Sequence, residues 1–418
     1  MKKFIAFALL LPLISSAQLP DHIYDPNIRT VKLLKYGDMY AYPIIALNSN
    51  DQLELHFDDL EGDVKNYYYT FQLCNADWSP GNLQSFDYIK GFQTTRITTY
   101  RYSSISYTQY THYQASLPDR NSIPTRAGNY LLKVFRNNDT SALAFTKRFL
   151  VVNNRVAVSA QIHQPFNSQL FRIGQRVQVG VSTANAQINV LSPQDIKVVV
   201  LQNNNWMTAA YLDRPTIYRG NYYEYSDDAL SFPAGREWRW LDLRSVRLRS
   251  DRVQRIIDST DKTEVYVIPD TERQGEIYVY YRDLNGIYTI ENTDGNNPFW
   301  QSEYASVHFT YVPPGRQPYA GKEIYIFGEL TNYTPDESSR MTFNEEKGVY
   351  EGTLFLKQGY YNYSYVTVEN TGQGNRPSFA NTEGNYNSTE NNYTVLIYYR
   401  GFGARADELI GMAEVNSL

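Results

Sequence analysis

A period-two pattern that stops abruptly, at residues 67–81, constrains the possible fold of this chain most strongly. The sequence there is YYYTFQLC followed by NADWSPG, and every odd-numbered position from 67 to 73 is aromatic or aliphatic. Successive side chains of a β-strand point to opposite faces, so one face can pack inward. Asn, Pro and Gly then end the strand, because proline lacks the ladder N–H and the other two adopt turn conformations readily. The same combination recurs along the chain and predicts an all-β fold.

Residues 18–153 are predicted to form a first antiparallel β-sandwich. Seven or so short strands with turn signals between them are typical of that architecture, and the Asn-Asn pair at 153–154 marks its end. The acidic run at 58–63 lacks the spacing of an EF-hand calcium loop and is interpreted as a solvated turn. The predicted strands are 28–33, 44–47, 53–57, 67–74, 110–117, 128–135 and 144–152.

Two further sandwiches are expected, a second at 154–314 and a third at 315–418, with the Pro-Pro-Gly sequence at 313–315 as their linker. The fold class is therefore three consecutive immunoglobulin-like or early-set β-sandwich domains. Only residues 406–415 show a helical pattern. The predicted strands of the second domain are 156–160, 176–181, 196–201, 264–268, 276–281 and 307–312.

Residues 1–17 have the layout of a secretory signal peptide. Two lysines precede an apolar stretch from 4 to 14, and Ser-Ser-Ala follows, which predicts cleavage after Ala17. The apolar stretch is too short to cross a bilayer, which needs about 20 apolar residues. No cysteine lies near the cleavage site, so a lipoprotein anchor is not expected. We therefore expect an exported protein, in the periplasm or outside the cell.

Composition narrows the function classes. Cleavage removes two lysines and changes the formal net charge from −5 to −7, which argues against nucleic-acid binding and against binding to anionic membranes. Cys74 is the only cysteine, so an intramolecular disulfide is impossible, and its place in a strand pattern predicts a buried, inert thiol. The 38 tyrosines suit both strands and interfaces, and composition does not separate the two.

No motif predicts catalysis. The five histidines are far apart in sequence, and neither H-E-x-x-H nor G-x-S-x-G occurs. The sequence GFGARA at 401–406 mimics a dinucleotide-binding fingerprint, but the chain printed here ends at Leu418, too early for the βαβ unit and the distal acid. We therefore predict that the protein is not an enzyme and has no catalytic, cofactor-binding or metal-binding residue.

The segment 236–255 is strongly cationic within an acidic chain. It holds seven arginines against three acids, beside two tryptophans. Guanidinium groups stack and pair bidentately, which suits an acidic partner; alternatively, the run is a solvated strand face whose arginine stems cover apolar surface. The interface candidates are Trp238, Arg239, Trp240, Arg244, Arg247 and Arg249.

The region 323–366 resembles the early-set β-sandwich of glycogen-binding modules, through a strand at 323–327, Met341, and the Gly-x-Tyr repeats at 348–350 and 359–365. Tyr333 and Tyr350 stand where that family usually has tryptophan. The resemblance implies an alternative function, an exported carbohydrate-binding protein. Its sugar-stacking platform would be formed by Tyr333, Tyr350 and Tyr361.

Several motifs in order resemble the type IX secretion system plug proteins over nearly the whole mature chain. They are the signal peptide, the strand ending Cys-Asn-Ala-Asp-Trp at 74–78, Gly-Asn-Tyr at 128–130, the run 221–240 with Phe-x-Ala-Gly-x-Glu-x-Arg at 232–239, and Asp-x-Asn-Gly at 283–286.

The resemblance implies a periplasmic protein whose partner is the very large outer-membrane β-barrel translocon of the SprA type. It further implies a plug that fills the periplasmic mouth of the barrel when no substrate is passing. A barrel of that width leaves an aqueous lumen, so an unfilled one would breach the membrane. We expect a monomer or a one-to-one complex with the barrel, without insertion into the membrane. No cofactor and no nucleic-acid partner are expected.

Overall fold

The architecture is nearly all-β, as predicted. The computed structural model describes residues 19–259, 261–370 and 376–418, so the predicted signal peptide lies outside the described residues. The described strands form three sandwiches, and short 3-10 turns are the only helical elements found in those ranges. These turns are Ser85–Asp87, Pro193–Asp195, Asp228–Leu230, Pro314–Arg316 and Glu329–Thr331.

The first sandwich packs a four-stranded sheet, in the order β1-β3-β8-β7, against a five-stranded sheet, in the order β2-β11-β10-β4-β6. Alternate residues of β4 are buried, which confirms the strand predicted at 67–74. β5 and β9 form a separate two-stranded sheet in the same domain. The strands of the domain are β1 (Ile28–Lys35), β2 (Ile44–Ala46), β3 (Leu53–Asp59), β4 (Tyr67–Cys74), β5 (Ile89–Gly91), β6 (Thr95–Arg96), β7 (Thr99–Tyr102), β8 (Thr111–Leu117), β9 (Ser122–Pro124), β10 (Gly128–Arg136) and β11 (Leu143–Val152).

The second sandwich begins with seven strands and is completed only near the C-terminus. One sheet holds β12, β13, β17, β16 and β18, and the facing sheet begins with β15 and β14. The strands are β12 (Ala157–His163), β13 (Gly174–Ser182), β14 (Ile196–Gln202), β15 (Asn205–Leu212), β16 (Ile217–Arg219), β17 (Tyr222–Tyr225) and β18 (Ser231–Pro233).

The third sandwich pairs the order β19-β28-β23, extended by β25 on β28, with the order β20-β21-β24-β27-β26, extended by β22 on β24. Its strands are β19 (Arg239–Asp242), β20 (Val253–Asp258), β21 (Thr263–Val267), β22 (Asp270–Thr271), β23 (Tyr288–Thr289), β24 (Tyr304–Val312), β25 (Lys322–Phe327), β26 (Thr342–Asn344), β27 (Val349–Lys357) and β28 (Tyr360–Glu369).

The last two strands return to the second sandwich. They are β29 (Asn392–Tyr399) and β30 (Glu408–Asn416). Because all seven residues of β14 pair with β29, the second sandwich is assembled from two stretches of chain that flank the third. The expected domain boundary at 314/315 therefore does not separate two sandwiches: β24 and β27, on either side of it, are neighbours in one sheet.

Two element predictions are wrong. The helix expected at 406–415 is the strand β30, whose backbone pairs with β29 over eight residue pairs. The strand expected at 276–281 takes neither strand nor helix in the structure. In the first case pairing with the preceding strand, β29, overrides a local helical pattern, and in the second no described strand pairs with the segment.

Candidate functional site

The surfaces that join the sandwiches contain connected groups of buried polar side chains. Asp58, in β3, lies between the first and third sandwiches and is fully buried. Its carboxylate accepts a hydrogen bond from the Lys357 ammonium at 2.5 Å and from the Tyr304 hydroxyl at 2.6 Å. The His112 Nδ1 lies 2.7 Å from its other oxygen. The Asp58 carboxylate and the Lys357 ammonium are thus both removed from water, and each is the counter-charge of the other.

Neighbouring groups keep the Asp58 carboxylate ionised in spite of its burial. Burial alone would raise the pKa of Asp58, but the Lys357 ammonium and His112 hold it below its ordinary value. Burial lowers the pKa of Lys357, and Asp58 opposes that effect. Burial is also the largest cause that lowers the pKa of His112, to about 4, so this imidazole is neutral near pH 7.

The sequence interpretation missed this junction. The prediction of a solvated turn at 58–63 is wrong for Asp58 and Asp59, which are both buried in β3. His56 and His112 lie far apart in sequence, yet their Nδ1 and Nε2 atoms are 3.1 Å apart in adjacent strands, and Phe299 stacks on His56. The apolar–polar alternation at 53–57 predicts the strand but not that a second domain covers its polar face.

A second buried pair joins the same two sandwiches. The Lys32 ammonium, in β1, donates to the Glu329 carboxylate at 2.6 Å and to the carbonyl of Tyr288 at 3.0 Å. The side chain of Lys32 is 4% exposed. Glu329 is 23% exposed, but separation of the pair would leave the buried Lys32 ammonium without its counter-charge.

The Cys-Asn-Ala-Asp-Trp motif joins the first sandwich to the second. Asn129, in β10, donates its amide to the carbonyls of Asn75 and Ala76, and its oxygen accepts from the Tyr398 hydroxyl at 2.6 Å. The Asp407 carboxylate accepts from the backbone N–H of Ala76 at 3.0 Å. The motif at 74–78 and the Gly-Asn-Tyr motif at 128–130 are therefore parts of one interface.

An apolar cluster surrounds these hydrogen bonds. The Trp78 and Trp206 rings meet edge to face with centroids 4.9 Å apart, and the Arg148 guanidinium lies 5.0 Å from the first and 5.6 Å from the second. Cation–π contacts of this kind stabilise most strongly where water is excluded. The buried members of the cluster are Ile44, Ala76, Leu150, Val152, Val199, Leu201, Trp206, Leu396, Tyr398 and Leu409.

The motif at 232–239 is the segment by which the chain crosses from the second sandwich to the third. It runs beside the returning segment, residues 376–391, through which the chain goes back to the second sandwich. The Gly235 N–H donates to the side-chain oxygen of Asn385, and the Thr389 hydroxyl donates to the Gly235 carbonyl. Arg239, at the end of the motif, holds the third sandwich and the returning segment together, because its guanidinium binds the carboxylates of Asp270 at 2.7 Å and Glu383 at 2.9 Å.

Burial of Trp238 and Arg239 in this crossing changes the interpretation of the cationic segment 236–255. Trp238 is 6% exposed and Arg239 is 4% exposed, so as folded these two candidates do not belong to a docking surface. Trp240 is half-buried, with the Arg252 guanidinium 5.3 Å from its ring. Their role in the structure is packing and ion pairing inside the third sandwich.

The remaining candidates lie at the surface. Arg244 is half-exposed and pairs with Asp242 at 2.7 Å. Arg247 and Arg249 are exposed on the loop before β20, and neither forms an ion pair with the described residues. Docking through these three arginines stays a prediction.

The sugar-stacking platform is wrong for this fold. Tyr333, Tyr350 and Tyr361 are 9%, 4% and 2% exposed. A stacking platform needs a ring face open to solvent, and these rings pack instead in the apolar cores of the third sandwich and its edge.

The other predicted features are placed as follows. Cys74 is buried, and burial raises the pKa of its thiol to about 12, which agrees with an inert role. Among residues 19–259, 261–370 and 376–418, no group of three or more His, Cys, Asp or Glu side chains is arranged to hold a metal ion. Across the same ranges, no helix has the length and apolarity that a membrane crossing requires.

Comparisons with known proteins give the family. The profile described as "Type 9 secretion system plug protein 1st domain" matches residues 28–153, which are the strands of the first sandwich. No curated protein matches the chain. Trypsin-activated alpha-2-macroglobulin from Escherichia coli aligns at 9% identity over 92% of this chain and 28% of that one, with a TM-score of 0.17, and this likeness carries no argument.

A solved structure extends the match over the whole length. A hypothetical protein from Parabacteroides merdae is 32% identical, and the alignment covers 96% of this chain and 100% of that one with a TM-score of 0.89. The interleaved second and third sandwiches are therefore shared with that relative, and not the first sandwich alone. Together with the match at 28–153, this shows that the chain belongs to the family of type 9 secretion system plug proteins.

Proposed function

We propose that this protein is a non-catalytic periplasmic plug, which binds the outer-membrane translocon barrel of the type 9 secretion system and seals its periplasmic mouth when no substrate is passing. Membership of the family supports a role in that secretion system. The sealing role requires a body that keeps its shape across an aqueous opening.

One observation carries the proposal, the joining of the first and third sandwiches by charges removed from solvent. The Asp58–Lys357 and Lys32–Glu329 pairs lie between the first and third sandwiches; Asp58, Lys357 and Lys32 are buried, and Glu329 is partly exposed. Interfaces between independent domains are usually polar and permit relative motion. Buried pairs resist separation, since opening the interface would leave each charge without its partner. Such a block suits a plug better than it suits an adaptor whose domains must move.

The experiment is a conductance measurement on the purified barrel in a planar bilayer. We expect the full-length protein to lower the conductance when it is added at the periplasmic face and to have no effect from the opposite face. Recovery of the barrel with tagged protein from detergent-solubilised outer membranes would establish the contact independently. Unchanged conductance from both faces, with the barrel bound, would contradict sealing and leave a binding role.

A further inference from the structure

Residues 277–282 have the sequence of a strand, but the fold leaves them unpaired. The sequence IYVYYR is rich in β-branched and aromatic residues, which favour strands. In the described ranges, no backbone N–H or C=O of these six residues has a hydrogen-bond partner. Six consecutive backbone units without partners are unusual beside three well-paired sandwiches, since a protein normally blunts or covers such groups.

Side chains hold this segment in one place. The Tyr281 hydroxyl donates to the Trp238 carbonyl at 3.1 Å and accepts from Arg273 at 2.9 Å. The Tyr278 hydroxyl donates to the Glu237 carboxylate and lies 3.1 Å from the Ser388 carbonyl, and its ring stacks on Tyr386 with centroids 4.3 Å apart. The segment is therefore fixed against the crossing between the second and third sandwiches, while its backbone stays free to pair.

The face that points away from the protein is apolar. Ile277 is 90% exposed, Val279 is 66% exposed and Tyr280 is 50% exposed. A single exposed apolar residue needs no explanation, but neighbouring ones mark interaction sites. Here the exposed side chains lie on the same segment as the unpaired backbone, so a single partner could cover both.

Charge indicates the character of that partner. Arg236, which donates to the Glu276 carbonyl at 2.7 Å, lies at one end of the segment, and Arg282 lies at the other. Neither forms an ion pair among the described residues, although Glu237 and Asp283 follow them directly in sequence; the Asp283 carboxylate instead accepts from the backbone N–H groups of Trp238 and Asn285. Tyr280 and Arg282 also line a polar cleft of about 770 Å³ whose other charged groups are Arg244, Asp283, Glu291 and Glu390; Arg244 is already paired with Asp242 and Glu291. Carboxylates near the two ends of a partner strand would complement the guanidinium groups of Arg236 and Arg282.

We propose that residues 277–282 are a docking strand, to which an extended, acidic segment at the periplasmic rim of the translocon barrel adds as a β-strand. This inference rests on the proposed function and deepens it by naming the surface. A polypeptide backbone repeats donors and acceptors at the spacing that the unpaired segment offers, and strand addition is an established mode of peptide recognition. Strand-forming residues that the monomer fold does not use are then used in the complex.

The first test compares variants for binding to the detergent-solubilised barrel. Val279→Pro removes one backbone donor and keeps an apolar side chain, whereas Ile277→Asp with Val279→Asp removes the apolar face. We expect each to weaken binding by about tenfold or more, as loss of an interface anchor does. Phe402→Asp is the matched control, because Phe402 is 93% exposed on the loop between β29 and β30 and should leave affinity unchanged. Thermal unfolding should be the same for all, since the segment makes no backbone hydrogen bonds.

Hydrogen–deuterium exchange supplies the second test. In the free protein the amides of 277–282 should exchange rapidly, and in the complex they should be protected. If the wild type binds the barrel without protecting these amides, and the variants bind as tightly as the wild type does, the docking strand is wrong while the plug remains. If the wild type neither binds the barrel nor changes its conductance, both proposals fail.

Discussion

Lys357 shows how strongly one buried residue depends on its partner. We expect Lys357→Met to lower the free energy of unfolding by about 3–5 kcal/mol, because Asp58 would remain buried without a counter-charge. The double variant Asp58→Asn with Lys357→Met should cost less than the single one, since no charge is then stranded. Denaturant titration measures both. A single variant as stable as the wild type would show that the junction does not hold the sandwiches together.

Gly286 has both a backbone and a packing requirement. Its φ is +85°, and a Cβ at this position would lie 2.7 Å from the Trp238 ring. Gly286→Ala should therefore destabilise by roughly 2 kcal/mol or more, by adding overpacking to backbone strain. Gly220→Ala is the control, because φ is +58° there and nothing lies within 4 Å of the added Cβ. Only strain is then expected, about 1 kcal/mol. Equal losses in chemical denaturation would refute the contact with Trp238.

Residue-scale prediction from the sequence is limited by burial. The inert character of Cys74 could be predicted, because its own strand pattern contains the information. The burial of Asp58, Trp238 and Arg239 could not, because their partners come from residues 31 to 299 positions away, such as Asp270 and Lys357. A charge in a local sequence resembles a surface charge until the opposing domain is known.

At the scale of elements, β30 completes the second sandwich although it is last in sequence. It pairs with β29 and places Leu409 and Ile410 in two apolar clusters. Truncation after residue 403 should therefore give insoluble or unfolded protein, whereas removal of Leu418, which is 73% exposed, should have no effect. Circular dichroism and soluble yield report the result. A soluble, β-rich truncated protein would contradict this role for β30.

Prediction of strands succeeded where the alternation of apolar and polar residues within a segment is enough to specify a strand. The strand at 67–74 was recognisable because one face is apolar along its length. Residues 276–281 have an equally good pattern but no adjacent strand, and β30 has a weaker pattern but a long partner. The sequential order of three domains also could not reveal that β14 and β29, about 190 residues apart, share a sheet.

Glu383, in the returning segment 376–391, should make the free energy of unfolding depend on pH in the acid range. Burial alone would raise the pKa of Glu383, but Arg239 and Arg273 lower it from 4.5 to about 2. A carboxylate with a lowered folded-state pKa stabilises the fold above its unfolded pKa, and this contribution, on the order of 3 kcal/mol, is lost as the pH falls from 4.5 towards 2. The unfolding free energy of Glu383→Gln should thus fall less steeply than that of the wild type over this range. Parallel pH profiles in denaturant titrations would exclude Glu383 as a source of acid sensitivity.

For the whole molecule, the proposed sealing role requires rigidity, because a plug whose domains moved would open gaps at the barrel mouth. Labels on cysteines introduced by Phe92→Cys, Tyr218→Cys and Lys262→Cys would mark the first, second and third sandwiches, at positions that are exposed. Cys74 is 2% exposed and its thiol pKa is raised to about 12, so it should stay unlabelled.

Pairwise electron-spin distance measurements on these variants should each give one narrow distribution in the free protein, unchanged when the barrel is bound. Arg148→Ala, which removes the guanidinium between Trp78 and Trp206, should broaden the distance between the first and second sandwiches. It should not broaden the distance between the second and third, which are joined by the crossing at 232–239. Broad distributions in the wild type would mean that the buried pairs do not lock the sandwiches, and the sealing mechanism would then require the barrel itself to order the plug.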